Sequence, residues 1–383
     1  MKYNKHFIKI RDKVIDFGNG FSISGDLDEG IIECTFELPD YKGESFTTAS
    51  IKKYDACDIY FGTFDSQDDA NNAELGDLKQ EVWGYVHSLV VNEDKEGGIN
   101  YSMTVKGTYG LTKERTAHVS SYSGYLSEII IWGMKYTDMA GYLGGIEDSG
   151  VVNNFNIKVK TSNVFFEVMQ GIKEDYALYI YQNGDGVLII ESPSYLAKKS
   201  LTVYEYDLEE SVFTIDYGEL NNNIDSVVVH GLNCVGIAFD PITYQLKNSL
   251  SGIPASTEID LTKLNPLKIY NLNLQSEEDC QKLAQEKIVE IAKNYSITIN
   301  CAYDSRINLG SMIRIKNSKV IPDTQLWIVK KRDLSFSKED LSFTLTLYSN
   351  SVSDFPEDRL LGSKGLLDTD MLSITEKAES TFS

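Results

Sequence analysis

Cysteine is scarce in this chain of 383 residues, and its spacing excludes two common kinds of site. The five cysteines are odd in number and far apart, and no C-x-x-C pair occurs. A disulfide framework or a zinc site is therefore not expected, and a reducing compartment is favoured. The cysteines are Cys34, Cys57, Cys234, Cys280 and Cys301.

Histidine is equally scarce, and the usual catalytic signatures are missing. The four histidines, His6, His87, His118 and His230, show neither H-x-x-x-H nor H-E-x-x-H, the spacings typical of zinc hydrolases. No G-x-S-x-G, phosphate-binding loop or strand-linked G-x-G-x-x-G is present. His87 and His230 fall within predicted strands, where packed or exposed side chains are more common than catalytic ones.

Basic residues are few relative to acidic ones. The chain has 36 Lys and Arg against 57 Asp and Glu, a net charge of −21. This balance argues against binding nucleic acid by phosphate neutralisation and against an anionic membrane surface. Hydrophobic residues make up 42% and aromatic residues 11%, enough for packed cores.

Long apolar runs are missing as well. The first twenty residues carry charges throughout and lack the apolar centre of a signal peptide. No run approaches the roughly 18 apolar residues that a membrane-spanning helix needs. We expect a protein made in the cytoplasm, without a membrane span.

Carboxylates are abundant, but none forms a recognisable site. Asp65, Asp68, Asp69 and Glu74 lie in one polar segment that we interpret as an exposed, solvated loop, because it fails the EF-hand pattern. The NGDG sequence at 183–186 predicts a hairpin turn, since apolar residues follow where further calcium ligands would be needed. The sequence thus predicts no catalytic, metal-ligating or cofactor-binding residue, and no cofactor.

The remaining pattern is that of strands. Residues 3–109 alternate between apolar and polar side chains and are broken by turn signals, as in GIIECTFELP and QEVWGYVHSLVV. Such short antiparallel strands are typical of a small barrel or sandwich. We predict a first β-barrel domain at 1–115.

A small α+β domain is predicted at 116–200. The sequence SYSGYLSEIIIWGMKYTDM has a helical stripe from Leu126 to Met134. A second short helix follows in SNVFFEVMQGIKED, with Ser162 as its predicted N-cap. The hairpin across 183–186 completes this unit.

Strands return in a second predicted β-barrel domain, 201–353. It contains an inserted loop at about 240–275, marked by Pro241, Pro254 and Pro266, and an amphipathic helix at 276–295 packed on the barrel. Ser276 with Asp279 three residues later predicts the helix cap. Residues 354–383 are predicted to be a polar tail. The fold class is α+β but predominantly β, with two barrels flanking the α+β unit.

This order of parts resembles the tail baseplate hub proteins of contractile-tailed phages, the late control protein D group, and the N-terminal half of VgrG spikes. The resemblance is carried by the strand QEVWGYVHSLVV, the strand IDSVVVHG and the closing run from SEEDCQKLAQEKIVEIAKNYSITINC to LWIVKKRDLSFSKEDLSFTLTLYS. Two departures stand out. Leu309-Gly310 lacks the proline of the family's L-x-P-G-type step, and the usual histidine is replaced around Arg332.

The resemblance implies a structural hub without enzymatic activity. Such a hub is a homotrimer whose two barrels per chain alternate in a ring between a sixfold tail tube protein and a threefold central spike protein, among other baseplate proteins. DNA would pass through its channel without specific binding, and assembly would place the protein in the virion tail. A negative or neutral lumen would repel phosphates, although acidity also serves solubility.

Two alternatives remain open from the sequence. One is a tail-associated cell-wall hydrolase, because carboxylates are plentiful. The other is a carbohydrate-binding adhesion module, suggested by 23 tyrosines. Strand propensity explains the tyrosines equally well.

Overall fold

A computed structural model describes most of the chain. The described residues are 3–16, 20–42, 46–93, 95–114, 121–125, 127–128, 130–131, 145–148, 155–158, 164–193, 196, 202–217, 224, 226–239, 266–292, 296–318, 325–337 and 340–349. The predicted tail at 354–383 and residues 240–265 of the predicted inserted loop lie outside them, as do His118, Pro241 and Pro254.

Strands dominate the described residues, which confirms the predominantly β fold class. The strands are β1 Tyr3–Ile10, β2 Lys13–Ile15, β3 Phe21–Asp26, β4 Ile32–Pro39, β5 Ala56–Phe64, β6 Lys79–Glu93, β7 Ile99–Lys106, β8 Ser121–Gly124, β9 Gly145–Asp148, β10 Phe155–Lys158, β11 Tyr179–Gln182, β12 Val187–Glu191, β13 Val203–Asp207, β14 Val212–Tyr217, β15 Ser226–His230, β16 Val235–Phe239, β17 Pro266–Tyr270, β18 Ser296–Cys301, β19 Met312–Lys316, β20 Leu326–Ser337 and β21 Asp340–Ser349. The α-helices are α1 Gln67–Asn72, α2 Thr108–Leu111, α3 Phe165–Tyr176 and α4 Glu277–Ala292, with 3-10 turns at Thr48–Ser50, Leu75–Asp77 and Thr112–Glu114.

One thirteen-stranded sheet runs through both predicted barrel regions. Its path is β14-β18-β21-β20-β3-β4-β7-β6-β5-β1-β2, with β13 and β19 branching at β20. The two regions meet where β20 pairs antiparallel with β3, for example Leu334 opposite Ile23. The first and last thirds of the sequence therefore share backbone hydrogen bonds.

Alternation of side chains explains why these segments form strands. In β4, the buried side chains are those of Ile32, Cys34, Phe36 and Leu38, and the residues between them are more exposed. Period-two burial of this kind places one face of a strand on the core. The main core extends from Ile8 in β1 to Leu347 in β21, so both β regions bury their apolar faces in one continuous cluster. The domain bounds and the closure of each region into a barrel remain predictions.

The middle part contains α3 and two small sheets, β10-β8 and β11-β12-β9. The predicted hairpin across 183–186 is confirmed, since β11 pairs antiparallel with β12. The N-cap prediction at Ser162 was wrong: α3 begins at Phe165 after Val164 and has no side-chain cap. Phe165, the first residue of the helix, is buried. The predicted stripe 126–134 lies largely outside the described residues, although Ile130 is buried.

A separate three-stranded sheet, β16-β15-β17, supports the late helix α4. The buried side chains beneath α4 belong to this sheet rather than to the thirteen-stranded one, and they include Val227, Val229 and Ala238. The inserted-loop prediction was wrong at its C-terminal end, because Pro266–Tyr270 is β17 and pairs parallel with β15. Proline is tolerated there because it is the first residue of an edge strand.

The polar segment with Asp65, Asp68 and Asp69 is not a simple loop. Ser66 caps the short helix α1, accepting a 3.0 Å hydrogen bond from the Asp69 amide. Glu74 and Asp77 then form a capping box on a 3-10 turn. The carboxylates thus satisfy helix N-termini, which the sequence interpretation missed. Among the described residues, no helix combines the length and apolarity needed to cross a bilayer.

Candidate functional site

Two buried charged side chains meet where the two β regions join. Glu81 on β6 is 1% exposed and Arg332 on β20 is 5% exposed. An Arg332 Nη2 atom lies 2.7 Å from Glu81 Oε2. The Tyr303 hydroxyl donates a 2.5 Å hydrogen bond to Glu81 Oε1. Full burial makes this ion pair costly unless its geometry is good and its other polar atoms are satisfied.

The loop between β18 and β19 supplies further partners. Arg332 Nε donates to the Ile307 carbonyl at 3.0 Å, and Lys79 Nζ donates to the same oxygen at 3.3 Å. Lys79 also donates to Asn308 Oδ1 at 2.7 Å. Burial lowers the pKa of Lys79 to about 8, while the carboxylate of Glu81 opposes that shift. The loop 302–310 is thereby bound to the first β region through side chains.

The β11–β12 hairpin of the middle part contacts the same place. Gln182 is fully buried, and its Nε2 donates to the Trp83 carbonyl at 3.1 Å. Its Oε1 accepts from the Tyr109 amide at 3.1 Å. Both ends of the amide therefore hydrogen-bond with backbone groups of the first β region, as a buried polar side chain requires.

Two glycines in the hairpin turn allow a close approach to β6. Gly186 has φ +80°, and a Cβ there would lie 1.6 Å from the Trp83 ring. A Cβ at Gly184 would lie 2.8 Å from the Gln80 carbonyl. The NGDG turn therefore also contacts β6, and only glycine fits at positions 184 and 186.

The other face of the hairpin meets the loop 302–310. Tyr181 donates a 2.5 Å hydrogen bond to the buried Glu191, and a Cβ at Gly310 would lie 2.9 Å from the Tyr181 hydroxyl. Gly310 has φ +75°, so its backbone requires glycine as well. We call the set Lys79, Glu81, Gln182, Tyr303 and Arg332 the three-way junction, because it links both β regions and the hairpin.

Chemically, the three-way junction is closed. The cavity beside Glu81, Gln182 and Arg332 has room for little more than a water molecule. The three charged side chains and Tyr303 are engaged with one another, and Gln182 with backbone groups, so the cluster is suited to fixing geometry rather than to binding a substrate. Sequence reasoning noted Arg332 only as a departure from a family pattern. Its partner Glu81 follows the polar residues Lys79 and Gln80 in β6, so no local pattern marked it as buried.

The three described histidines lie in separate environments. His6 is buried in β1, with ring centroids 5.5 Å from Phe21 and 5.2 Å from Phe336. His230 stacks on Tyr270 at 4.8 Å, and burial lowers its pKa.

His87 contacts the carboxylate of Glu114. Glu114 also pairs with Lys53 at 2.6 Å and accepts from the Tyr54 hydroxyl at 2.9 Å. Burial alone would raise the pKa of Glu114, but these hydrogen bonds lower it. Burial lowers the pKa of His87, which favours the neutral imidazole.

Metal ligation finds no support among the described residues, where no group of three or more His, Cys, Asp or Glu side chains could hold an ion. Asp68 and Asp69 lie in the first turn of α1 and Glu74 caps the next turn, so these acidic residues are used locally. Asn183 accepts from the Asp185 and Val187 amides, which closes the hairpin turn.

The chain matches no protein-family model and no curated protein sequence. Its fold is similar to those of solved tail proteins. The 43 kDa tail protein of prophage MuSo2 from Shewanella oneidensis is 14% identical, with a TM-score of 0.63 over 92% of this chain and 100% of that one. A tail protein from Neisseria meningitidis is 11% identical, with a TM-score of 0.64 over 90% and 96%.

Secretion-system proteins share the fold as well. An Escherichia coli component of the type VI secretion system, itself described as structurally similar to bacteriophage T4 tail proteins, is 8% identical. Its TM-score is 0.55 over 91% of this chain and 77% of that one. At such low identity, these likenesses establish a shared fold.

Proposed function

We propose that this chain is the structural hub of a phage-type tail baseplate. Three copies form a ring that joins the sixfold tail tube to the threefold central spike, and the ring encloses a channel for DNA or effector passage. The observation that carries the proposal is the similarity of fold to tail proteins over nearly the whole length of both chains.

The β architecture supports this role. Each chain offers two β regions joined through the β3–β20 pairing, and the three-way junction fixes them together with the β11–β12 hairpin. A rigid protomer with two β regions gives six such units in a trimer. This number matches a sixfold tube on one side, while the three chains match a threefold spike on the other.

The net charge of −21 agrees with a channel for nucleic acid. A Lys or Arg facing the lumen would hold a phosphate, and the attraction summed over many phosphates would slow passage. Carboxylates repel phosphates over about 8–10 Å at physiological salt, the range left by screening. We therefore place many of the excess carboxylates along the lumen.

Mass in solution tests the ring. Light scattering should give three copies of the chain per particle, either for the purified chain alone or once its tail tube and spike proteins are added. Dimers at every concentration, with and without partners, would contradict the proposal. Duplex DNA should migrate unchanged past the protein on a gel at moderate salt, and retardation would contradict the conduit.

The hydrolase alternative has one observation in its favour, the contact of half-buried His87 with Glu114. A peptidoglycan turbidity assay separates the two functions. The hub proposal expects no clearing by the wild-type protein. Clearing that disappears in Glu114→Gln would favour the hydrolase.

A further inference from the structure

Two of the five cysteines touch each other. Cys234 lies in the turn between β15 and β16, and Cys280 lies in the first turn of α4. Their sulfur atoms are 3.4 Å apart although the residues are separated by 46 positions. Both side chains are buried, Cys234 at 7% and Cys280 at 0% exposed. Among the described cysteines, this is the one hydrogen-bond contact between two sulfurs.

The backbone on both sides of this contact is fixed. The Gly231 amide donates to the Cys234 carbonyl at 2.8 Å and closes the turn. A Cβ at Gly231 would lie 2.5 Å from the Cys234 sulfur and 2.7 Å from the Cys280 sulfur. A Cβ at Gly236 would lie 2.2 Å from the Cys280 backbone. Glycine at both positions therefore lets α4 approach the β15–β16 turn closely enough for the two sulfur atoms to come into contact.

We propose that Cys234 and Cys280 are a site of covalent modification, forming an intramolecular disulfide when the folded chain meets a small-molecule disulfide. The sulfurs have to approach by only about 1.4 Å to reach bonding distance. The bond would tie the first turn of α4 to the β15–β16 turn. A reducing cytoplasm keeps both thiols reduced, so the site becomes active once the chain leaves that compartment.

The reaction balances through thiol–disulfide exchange. One cysteine loses its proton and attacks oxidised glutathione, which forms a mixed disulfide and releases one glutathione thiolate. The second cysteine then loses its proton, attacks the mixed disulfide and releases the second glutathione. The protein loses two protons and two electrons, and glutathione disulfide is reduced to two thiols.

Burial sets the rate of this reaction. It raises the pKa of Cys280 to about 12, with a further contribution from the hydrogen bond to Cys234. The thiolate is the attacking species, and little of it exists while α4 is packed against the β15–β16 turn. Oxidation therefore proceeds through transient opening of α4 and accelerates with rising pH.

The test uses the folded full-length chain. After removal of reductant, the protein is incubated with oxidised glutathione at pH 8 and then denatured and alkylated. We expect a product lighter by two hydrogen atoms, with three alkylated cysteines instead of five, and a cross-linked peptide containing Cys234 and Cys280. Amide hydrogen exchange in α4 should slow by about tenfold or more in the oxidised protein.

Matched variants control the assignment. Cys234→Ser and Cys280→Ser should each abolish the cross-link, whereas Cys301→Ser should retain it. Cys301 is equally buried but lies in β18, within the main core. If a serine variant folds poorly, the peptide map of the oxidised wild-type protein still shows which two cysteines are cross-linked.

Three results would overturn the proposal. One is five alkylated cysteines in the folded protein under conditions that fully oxidise the unfolded chain. Another is a stable mixed disulfide with glutathione at Cys234 or Cys280. The third is a cross-link that maps to a different pair.

Discussion

At the three-way junction the central buried side chains are charged, whereas beneath α4 they are apolar. Glu81 and Arg332 are as deeply buried as Leu283 and Ile288. The first pair is held by directional hydrogen bonds to Tyr303 and Ile307. The second lies in an apolar cluster with Val227 and Val229.

The difference matters because the two kinds of contact tolerate change differently. Apolar packing accepts substitutions that conserve volume, often at a cost below about 1.5 kcal/mol. A buried ion pair adds little net stability, but loss of one partner leaves an uncompensated charge. We infer that the junction fixes one arrangement of the β regions and the hairpin, whereas α4 mainly contributes stability.

The largest effect is expected from breaking the ion pair. Arg332→Met should lower the free energy of unfolding by about 3–5 kcal/mol, because Glu81 would remain buried with only Lys79, 4.0 Å from its Oε1, as a cation. Urea denaturation followed by fluorescence measures this loss.

Two further variants sharpen that result. Glu81→Met combined with Arg332→Met should be less destabilised than Arg332→Met alone, since the unpaired buried carboxylate is then gone and only the less deeply buried Lys79 keeps its charge. Arg306→Met removes an arginine from the exposed Asp304 pair and should leave the denaturation midpoint nearly unchanged. If Arg306→Met and Arg332→Met lowered the free energy of unfolding equally, the buried ion pair of the junction would contribute no more to stability than an exposed one.

Removal of an apolar side chain from α4 comes next. Leu283 is 4% exposed, and Leu283→Ala should cost about 2–5 kcal/mol through lost burial and the cavity left behind. The neighbouring exposed position provides the control, and Lys282→Ala should change stability by less than about 0.5 kcal/mol. Equal melting temperatures for Leu283→Ala and the wild type would show that this face of α4 is not buried in solution.

Asp58, a half-buried carboxylate with Lys9 opposite it but no salt bridge between them, extends the comparison. Burial raises the pKa of Asp58 on β5 from 3.8 to about 6, although Lys9 and a hydrogen bond from Gly84 oppose the shift. The folded state then binds more protons than the unfolded state between about pH 4 and 6. Stability should fall as the pH rises through this window.

Asp58→Asn removes that penalty. At pH 7.5 it should raise the free energy of unfolding by about 1–2 kcal/mol, a value reduced to allow for partial exposure. Near pH 4 the variant and the wild type should be equally stable. Asp12→Asn, at an exposed position, serves as the control for removing one negative charge. A constant difference across the pH range would mean that Asp58 is not the titrating group.

These two regions also show what the sequence could predict. The face of α4 was predicted because apolar residues recur at helical spacing over 16 residues, and that periodicity is visible locally. The junction was not predicted, because its ion pair joins positions 81 and 332 and its hairpin comes from the middle of the chain. Glu81 has the polar neighbours Lys79 and Gln80 in β6, so nothing in the local sequence marked it as a buried charge.

The small sheet beneath α4 was also only partly foreseen. The strand IDSVVVHG, which contains β15, was predicted, but β17 was assigned to a loop because its first residue is Pro266. Its partner β15 lies 40 positions earlier and pairs in parallel, Ser226 opposite Pro266. Parallel pairing across a long connection leaves no local signal comparable to a hairpin turn.

The smallest effect concerns two serines with the same local pattern. Ser276 accepts a 3.1 Å hydrogen bond from the Asp279 amide, and Ser66 accepts one of 3.0 Å from the Asp69 amide. In both, the serine hydroxyl also donates to the carboxylate three residues later. The sequence interpretation recognised only the first, because α1 has six residues and is too short to show helical periodicity.

The two caps should nevertheless differ in value. Ser276→Ala should lower the free energy of unfolding by about 1 kcal/mol, since α4 is packed and loss of the cap is felt by the folded state as a whole. Ser66→Ala should cost less, because only Ala70 of α1 is buried and the helix can fray without disturbing the core. Urea denaturation measures the first effect, and hydrogen exchange at the Asp69 amide measures the second. If Ser66→Ala lowered the free energy of unfolding more than Ser276→Ala did, α1 would have to be packed more tightly against the core than its burial indicates.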